Sequence, residues 1–122
     1  MTAAENIAAV ILAAGAGSRF GYRPKGLLQR DGQPLLVRQI DLLAQAGAQS
    51  LVVVLGRHAD AYLPALQAAR ARLPNPARLQ WVRNPNPDSG GTAASLRCGL
   101  AALDSEASTV LVALADQPLL QA

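Results

Sequence analysis

Between Leu12 and Lys25 the chain reads LAAGAGSRFGYRPK, a stretch in which Gly15, Gly17 and Gly21 are interleaved with Arg19, Arg23 and Lys25. Small residues at 13–17 let a ligand come within van der Waals distance of the main chain. Amides that follow a strand can then point at phosphate oxygens. Arg19 offers a planar fork for two oxygens, and Lys25, the single lysine of the chain, offers a compact charge. These are the parts of an anion cradle. Two familiar cradles do not fit. A Walker A loop needs lysine after its last glycine, and Leu27 follows Gly26 here. A dinucleotide fingerprint needs G-x-G-x-x-G, whereas Gly15, Gly17 and Gly21 are one residue too widely spaced. The acidic residue expected at the end of the second strand is replaced by Gly56 and Arg57 in VVVLGRH.

The elements that position this loop follow from hydrophobic pattern. Residues 7–12 form a short, branched apolar run ended by small residues, the mark of a buried strand. The glycine-rich stretch 13–33 is too long for a tight turn and reads as a functional loop. Pro34 suits the first turn of a helix over 35–46, which Gly47 closes. Apolar runs at 51–55, 79–82 and 109–115 predict three more strands. Helical spacing over 59–73 and 92–103 predicts two more helices, the last with Leu96, Leu100 and Leu103 on one face. Strands alternate with helices, and the strands are continuous apolar runs. This predicts an α/β domain whose mostly parallel sheet is buried on both faces. In such sheets ligands bind beyond the carboxyl ends of the strands. The glycine loop, the NPDSGG loop at 86–91 and Asp116 all fall there.

Bulk properties narrow the class. The 122 residues suffice for one domain with a sizeable core, and a chain 51% hydrophobic and 16% charged is built to fold. No apolar run reaches the roughly 18 residues that span a bilayer. The start, MTAAENIAAVILAAG, lacks the basic segment of a secretion signal, so a cytoplasmic location is expected. Cys98 stands alone, which excludes an intrachain disulfide. The net charge of +3 comes from ten arginines and one lysine spread singly, with only four aromatic residues to stack bases. A small anionic ligand accounts for that charge better than nucleic acid does.

The segment LAAGAGSRFGYRPK resembles the nucleotide-binding signature of the NTP-transferase superfamily. Downstream, SGGTAASLRCGL and VALADQPLL resemble the next two motifs of its molybdenum-cofactor nucleotidyltransferase branch, in particular the molybdopterin cytidylyltransferases. The three blocks occur in the family's order and together span most of the chain.

The resemblance implies an α/β fold, a Rossmann-like three-layer sandwich of the nucleotide-diphospho-sugar transferase kind. It implies transfer of NMP from an NTP to a phosphorylated acceptor such as molybdopterin, with Mg2+ and release of pyrophosphate. By position, Leu12, Ala13, Ala14, Gly15 and Gly17 would wrap the nucleotide, and Arg19 and Lys25 would hold its phosphates. Asp88, Gly91 and Ser95 would sit near base and ribose, and Asp116 would bind Mg2+. Arg19, Lys25 and Asp116 are thus the expected catalytic residues. In this branch LAAG leans to CTP and LAGG to GTP, so Ala14 favours cytidine. Guanylyl or sugar-phosphate nucleotidyl transfer, and nucleotide binding without catalysis, are the alternatives.

Two features depart from the family pattern. Lys25 stands one or two residues further from the arginine than the commonest spacing. The chain also stops six residues after Asp116, whereas family members continue through most of the acceptor pocket and, usually, a second metal ligand. Residues 1–122 are therefore expected to be a single domain, the N-terminal nucleotide-binding part of the fold. An open sheet edge and self-association are expected with it.

Each candidate also has a plainer reading. Gly15 and Gly17 could shape a turn, Lys25 could be solvated and Arg19 could serve a structural ion pair. Asp116 could cap a helix beginning at Pro118. Asp88 and Ser89 could form a local turn, Thr92 could cap the last helix and Ser95 could be a helix hydroxyl with no ligand. His58 has no constellation around it, Cys98 reads as a small buried residue, and Trp81 as sheet cover. Arg70, Arg72 and Arg78 read as an ordinary solvated face.

Overall fold

In chain order the elements are β1 (Ile7–Ala13), β2 (Gln29–Arg30), β3 (Gln33–Pro34), α1 (Leu35–Gln45), β4 (Ser50–Leu55), α2 (Ala59–Arg72), β5 (Leu79–Arg83), α3 (Gly91–Ala102) and β6 (Thr109–Leu114). They come from a computed structural model that describes residues 7–13, 29–30, 32–56, 59–73, 78–85, 91–103 and 107–114. Four strands form one parallel sheet in the order β5-β4-β1-β6. The three-layer α/β arrangement expected from the sequence is therefore present.

The two central strands explain themselves. IAAVILA and SLVVVL alternate no polar residue into either face, and apart from Ile7 and Ser50 at their starts they are buried throughout. Alternate residues feed two cores. Ala9, Ile11, Leu51, Val53 and Leu55 pack with Leu36, Ile40 and Leu43 of α1 and with Tyr62 and Leu66 of α2. Val10, Leu12 and Val54 pack on the opposite face against Leu96, Cys98 and Leu103. Burying each such aliphatic side chain contributes about 1.5–3 kcal/mol relative to leaving it in water.

The expectation of burial on both faces holds for β1 and β4 only. Val110, Leu111, Val112 and Leu114 of β6 are all exposed. That strand has β1 on one side, and no other strand flanks it among the described residues. Leu100 is also exposed, against the expected stripe. α3 turns Ser95 and Gly99 to the sheet, so Leu100 points away.

Helix ends follow local chemistry. α1 starts after Pro34, whose φ of −58° and ψ of 145° place it just outside the helix rather than in its first turn. Its end is a Schellman motif. Gly47 N–H donates to Ala44 O at 3.1 Å and Ala48 N–H to Leu43 O at 3.0 Å. Gly47 takes a φ of +106°, which a residue with a Cβ adopts only under strain. Within the stretch read as one long loop, β2 and β3 pair antiparallel around Gly32, whose φ is +83°. Two-residue strands are too short to leave a periodic signal.

Of the three arginines read as a solvated face, Arg72 is exposed, and Arg70 and Arg78 are otherwise engaged. Arg70 lies 4.1 Å over the Trp81 ring and donates through Nε and Nη2 to Leu79 O at 3.2 and 2.8 Å. Arg78 donates to Ala48 O and, at 3.4 Å, to Ala44 O, bracing the end of α1. Arg72 pairs with Asp41 at 2.6 Å and is half exposed. The planar heads of Arg70 and Arg78 bond main-chain carbonyls while their aliphatic stems stay partly buried, a role that charge count does not reveal.

Candidate functional site

The strand order places a topological switch point between β1 and β6. From β1 the chain builds outward through β4 and β5, then crosses back to lay β6 on the other side of β1. Such a reversal opens a crevice at the carboxyl ends of the strands. Leu12 pairs with Leu114 across this boundary and with Val54 on the other side, and Ala13 pairs with Leu55. The chain therefore leaves β1 into the glycine loop and leaves β6 toward Asp116 from neighbouring positions. Leu12 and Ala13 turn their side chains into the two cores, which leaves their main chain at the carboxyl edge.

Ala14, Gly15, Gly17, Arg19, Lys25, Asp88 and Asp116 lie outside the described residues, as does His58. Gly91 opens α3, which starts at the same carboxyl edge because it follows β5. Ser95 is 5% exposed on the sheet side of that helix. Its Oγ accepts a hydrogen bond from Asn84 Nδ2 at 3.2 Å. Cys98 is half-buried against the second core and Trp81 half-buried on the first, as their plainer readings have it.

Two buried amides under this edge are absent from the expected site. Asn84, 3% exposed, follows β5 directly, and its N–H donates to Leu55 O at 2.8 Å, extending the ladder one step beyond the strand. Gln39, 1% exposed, donates through Nε2 to Leu114 O, the last carbonyl of β6. Buried amides are costly unless bonded, so both pin the strand ends from which the candidate loops depart. The sequence carried a signal for Gln39, which interrupts the apolar stripe Leu36, Ile40, Leu43 of α1. Asn84 gave none, because RNPNPDSGG is made of turn residues throughout.

Among the described residues no three His, Cys, Asp or Glu side chains gather to hold a metal ion. The carboxylate that follows β6, Asp116, is a hard oxygen donor of the type Mg2+ takes. No described helix is long and apolar enough to cross a membrane.

Comparison with known proteins agrees with this architecture. The model of the MobA-like NTP transferase domain matches residues 9–122. The bifunctional protein GlmU of Sorangium cellulosum is 35% identical over 116 residues, covering 93% of this chain and 24% of its own length. The nicotine blue oxidoreductase of Paenarthrobacter nicotinovorans is 38% identical over 116 residues, covering 92% of this chain and 50% of its own. Among solved structures, Rv0371c of Mycobacterium tuberculosis superposes with a TM-score of 0.72 at 33% identity, over 95% of this chain and 54% of that one. A further structure of Rv0371c is a complex with manganese. The chain thus spans about a quarter to a half of the length of these relatives. With a family model covering nearly all of it, the chain belongs to the MobA-like NTP transferase domain family.

Proposed function

We propose that residues 1–122 form the nucleotide-binding part of a nucleotidyltransferase that takes CTP in preference to GTP and transfers CMP to a phosphorylated acceptor such as molybdopterin. An acceptor phosphate oxygen bonds to the α-phosphorus, the bond from that phosphorus to the bridging oxygen breaks, and pyrophosphate leaves. No covalent enzyme intermediate is needed, so positioning and charge stabilisation carry the catalysis.

The observation that supports this reading most directly is the pairing of Leu12 with Leu114 at the switch point, which sets the ends of β1 and β6, the strands that precede the glycine-rich stretch and Asp116 in sequence, side by side. In this reading the main chain of Leu12, Ala13, Ala14, Gly15 and Gly17 wraps the nucleotide. Arg19 and Lys25 hold its phosphates and meet the charge that develops on the leaving pyrophosphate. Gly91 and Ser95, with Asp88, lie toward base and ribose. Asp116 would hold the Mg2+ ion. A divalent cation bound there would neutralise phosphate charge. The same reading places the protein in the cytoplasm.

The test is calorimetric titration of CTP, GTP and ATP, each with and without Mg2+, into the chain and into Lys25→Ala. Mg2+-dependent binding, tightest for CTP and lost in the variant, is the expected result. Where turnover is measurable, Lys25→Ala lowers kcat by about 10²–10³-fold, the usual cost of removing one electrostatic stabiliser. Folded protein that binds none of the three would overturn the proposal. Binding of GTP over CTP would replace cytidylyl by guanylyl transfer. Nucleotide binding without turnover would favour a binding module.

A further inference from the structure

Asn84 is bonded at both ends. Its main chain belongs to the sheet, through N–H to Leu55 O at 2.8 Å, and its side chain belongs to the helix, through Nδ2 to Ser95 Oγ at 3.2 Å. Both side chains are buried, Asn84 at 3% and Ser95 at 5% exposure. Ser95 stands one turn into α3, so the bond acts on the end of the helix nearest the carboxyl edge. The next turn inward is held differently, by close packing of Gly99 against Val10 and Val54. α3 is thus seated at two levels, by packing in the middle of the sheet and by the Asn84–Ser95 hydrogen bond near its opening turn.

We propose that Asn84 is a positioning residue that sets the opening turn of α3 at the depth nucleotide binding requires, acting through the Ser95 hydroxyl. This inference rests on the nucleotide-binding reading above. Packing alone fixes a helix loosely along its axis, because apolar contacts are non-directional. A hydrogen bond between two buried groups fixes it within a few tenths of an ångström and is costly to leave half made. Asn84 supplies that restraint between strand and helix without itself touching the ligand.

The experiment measures nucleotide affinity and thermal stability together for Asn84→Ala, Ser95→Ala, their double variant and Ser95→Thr, with Lys25→Ala as the binding control. Asn84→Ala and Ser95→Ala should each weaken Mg2+–CTP binding by about three- to tenfold, the range of one neutral hydrogen bond. The double variant should lose no more than either single one, since both remove the same tie. Ser95→Thr, which keeps the hydroxyl, should bind Mg2+–CTP more tightly than Ser95→Ala. Variants that melt at lower temperature yet bind nucleotide as tightly as the parent when folded would overturn the proposal and leave a purely structural pair. Additive losses would overturn it as well, because the two residues would then act separately. If the parent chain binds no nucleotide, the functional reading fails and this inference with it. If the parent binds and only Lys25→Ala loses binding, this inference alone fails.

Discussion

Gly99 of α3 lies so close to Val10 of β1 that a Cβ built on the glycine would stand 2.5 Å from Val10 Cγ1 and 2.9 Å from Val54 Cγ2. Val10 and Val54 are fully buried and β-branched, so neither methyl can swing aside cheaply. Gly99→Ala gains about 1 kcal/mol of helix propensity but overpacks the interface at about 1–3 kcal/mol. The expected net result is a lower urea midpoint, with the far-UV spectrum unchanged. A raised midpoint would show that the helix lifts off the sheet without loss.

Arg70 and Trp81 join α2 to the edge strand β5. The guanidinium lies 4.1 Å above the ring and bonds Leu79 O through two nitrogens, a geometry lysine cannot reproduce. Arg70→Ala should cost about 1–2 kcal/mol, and Arg70→Lys should recover little of it. Trp81 is the sole tryptophan of the chain. Its fluorescence therefore reports the contact, and both variants should shift emission to longer wavelength. Full recovery of stability and spectrum by lysine would mean that charge alone, not the planar stack, holds this corner.

The parts of this structure that the sequence revealed are those where one period dominates. Ile7–Ala13 and Ser50–Leu55 are uninterrupted apolar runs, and α1 has a proline before it and a glycine after it, so both type and boundary were legible. Alternation of strands and helices pointed to the carboxyl edge of a parallel sheet, and the strand order then located the switch point. What escaped detection depends on partners distant in sequence. Arg78 and Arg70 look solvated until the carbonyls they brace are known, and Leu100 falls on an apolar stripe until Gly99 shows which face the sheet takes. Ser95 is a mere helix hydroxyl until Asn84, eleven residues away, is seen to bond it. The residues read from the sequence as phosphate and metal ligands, Gly15 to Lys25 with Asp116, lie outside the described residues.

The outer edge of β6 makes the sharpest prediction about behaviour in solution. Its sequence, TVLVAL, contains no charge and no proline, the usual devices by which an edge strand avoids pairing with another chain. Register with β1 sets Val110, Val112 and Leu114 opposite Ala8, Val10 and Leu12, so they lie on the face that α3 covers. They are nevertheless 37–51% exposed. Leu100 on α3 is also exposed. An apolar strand with no second neighbour among the described residues is both a template for backbone pairing and a surface that water disfavours. The isolated chain should therefore associate as its concentration rises through the micromolar range. Val112→Lys, which places a charge at the most exposed position, should suppress association while leaving the far-UV spectrum intact. Sedimentation equilibrium over a range of loading concentrations decides the matter. A parent chain that stays monomeric throughout would mean that residues beyond those described here shield the edge. Association that survives Val112→Lys unchanged would place the contact elsewhere, with the other edge strand, β5, as the next surface to charge.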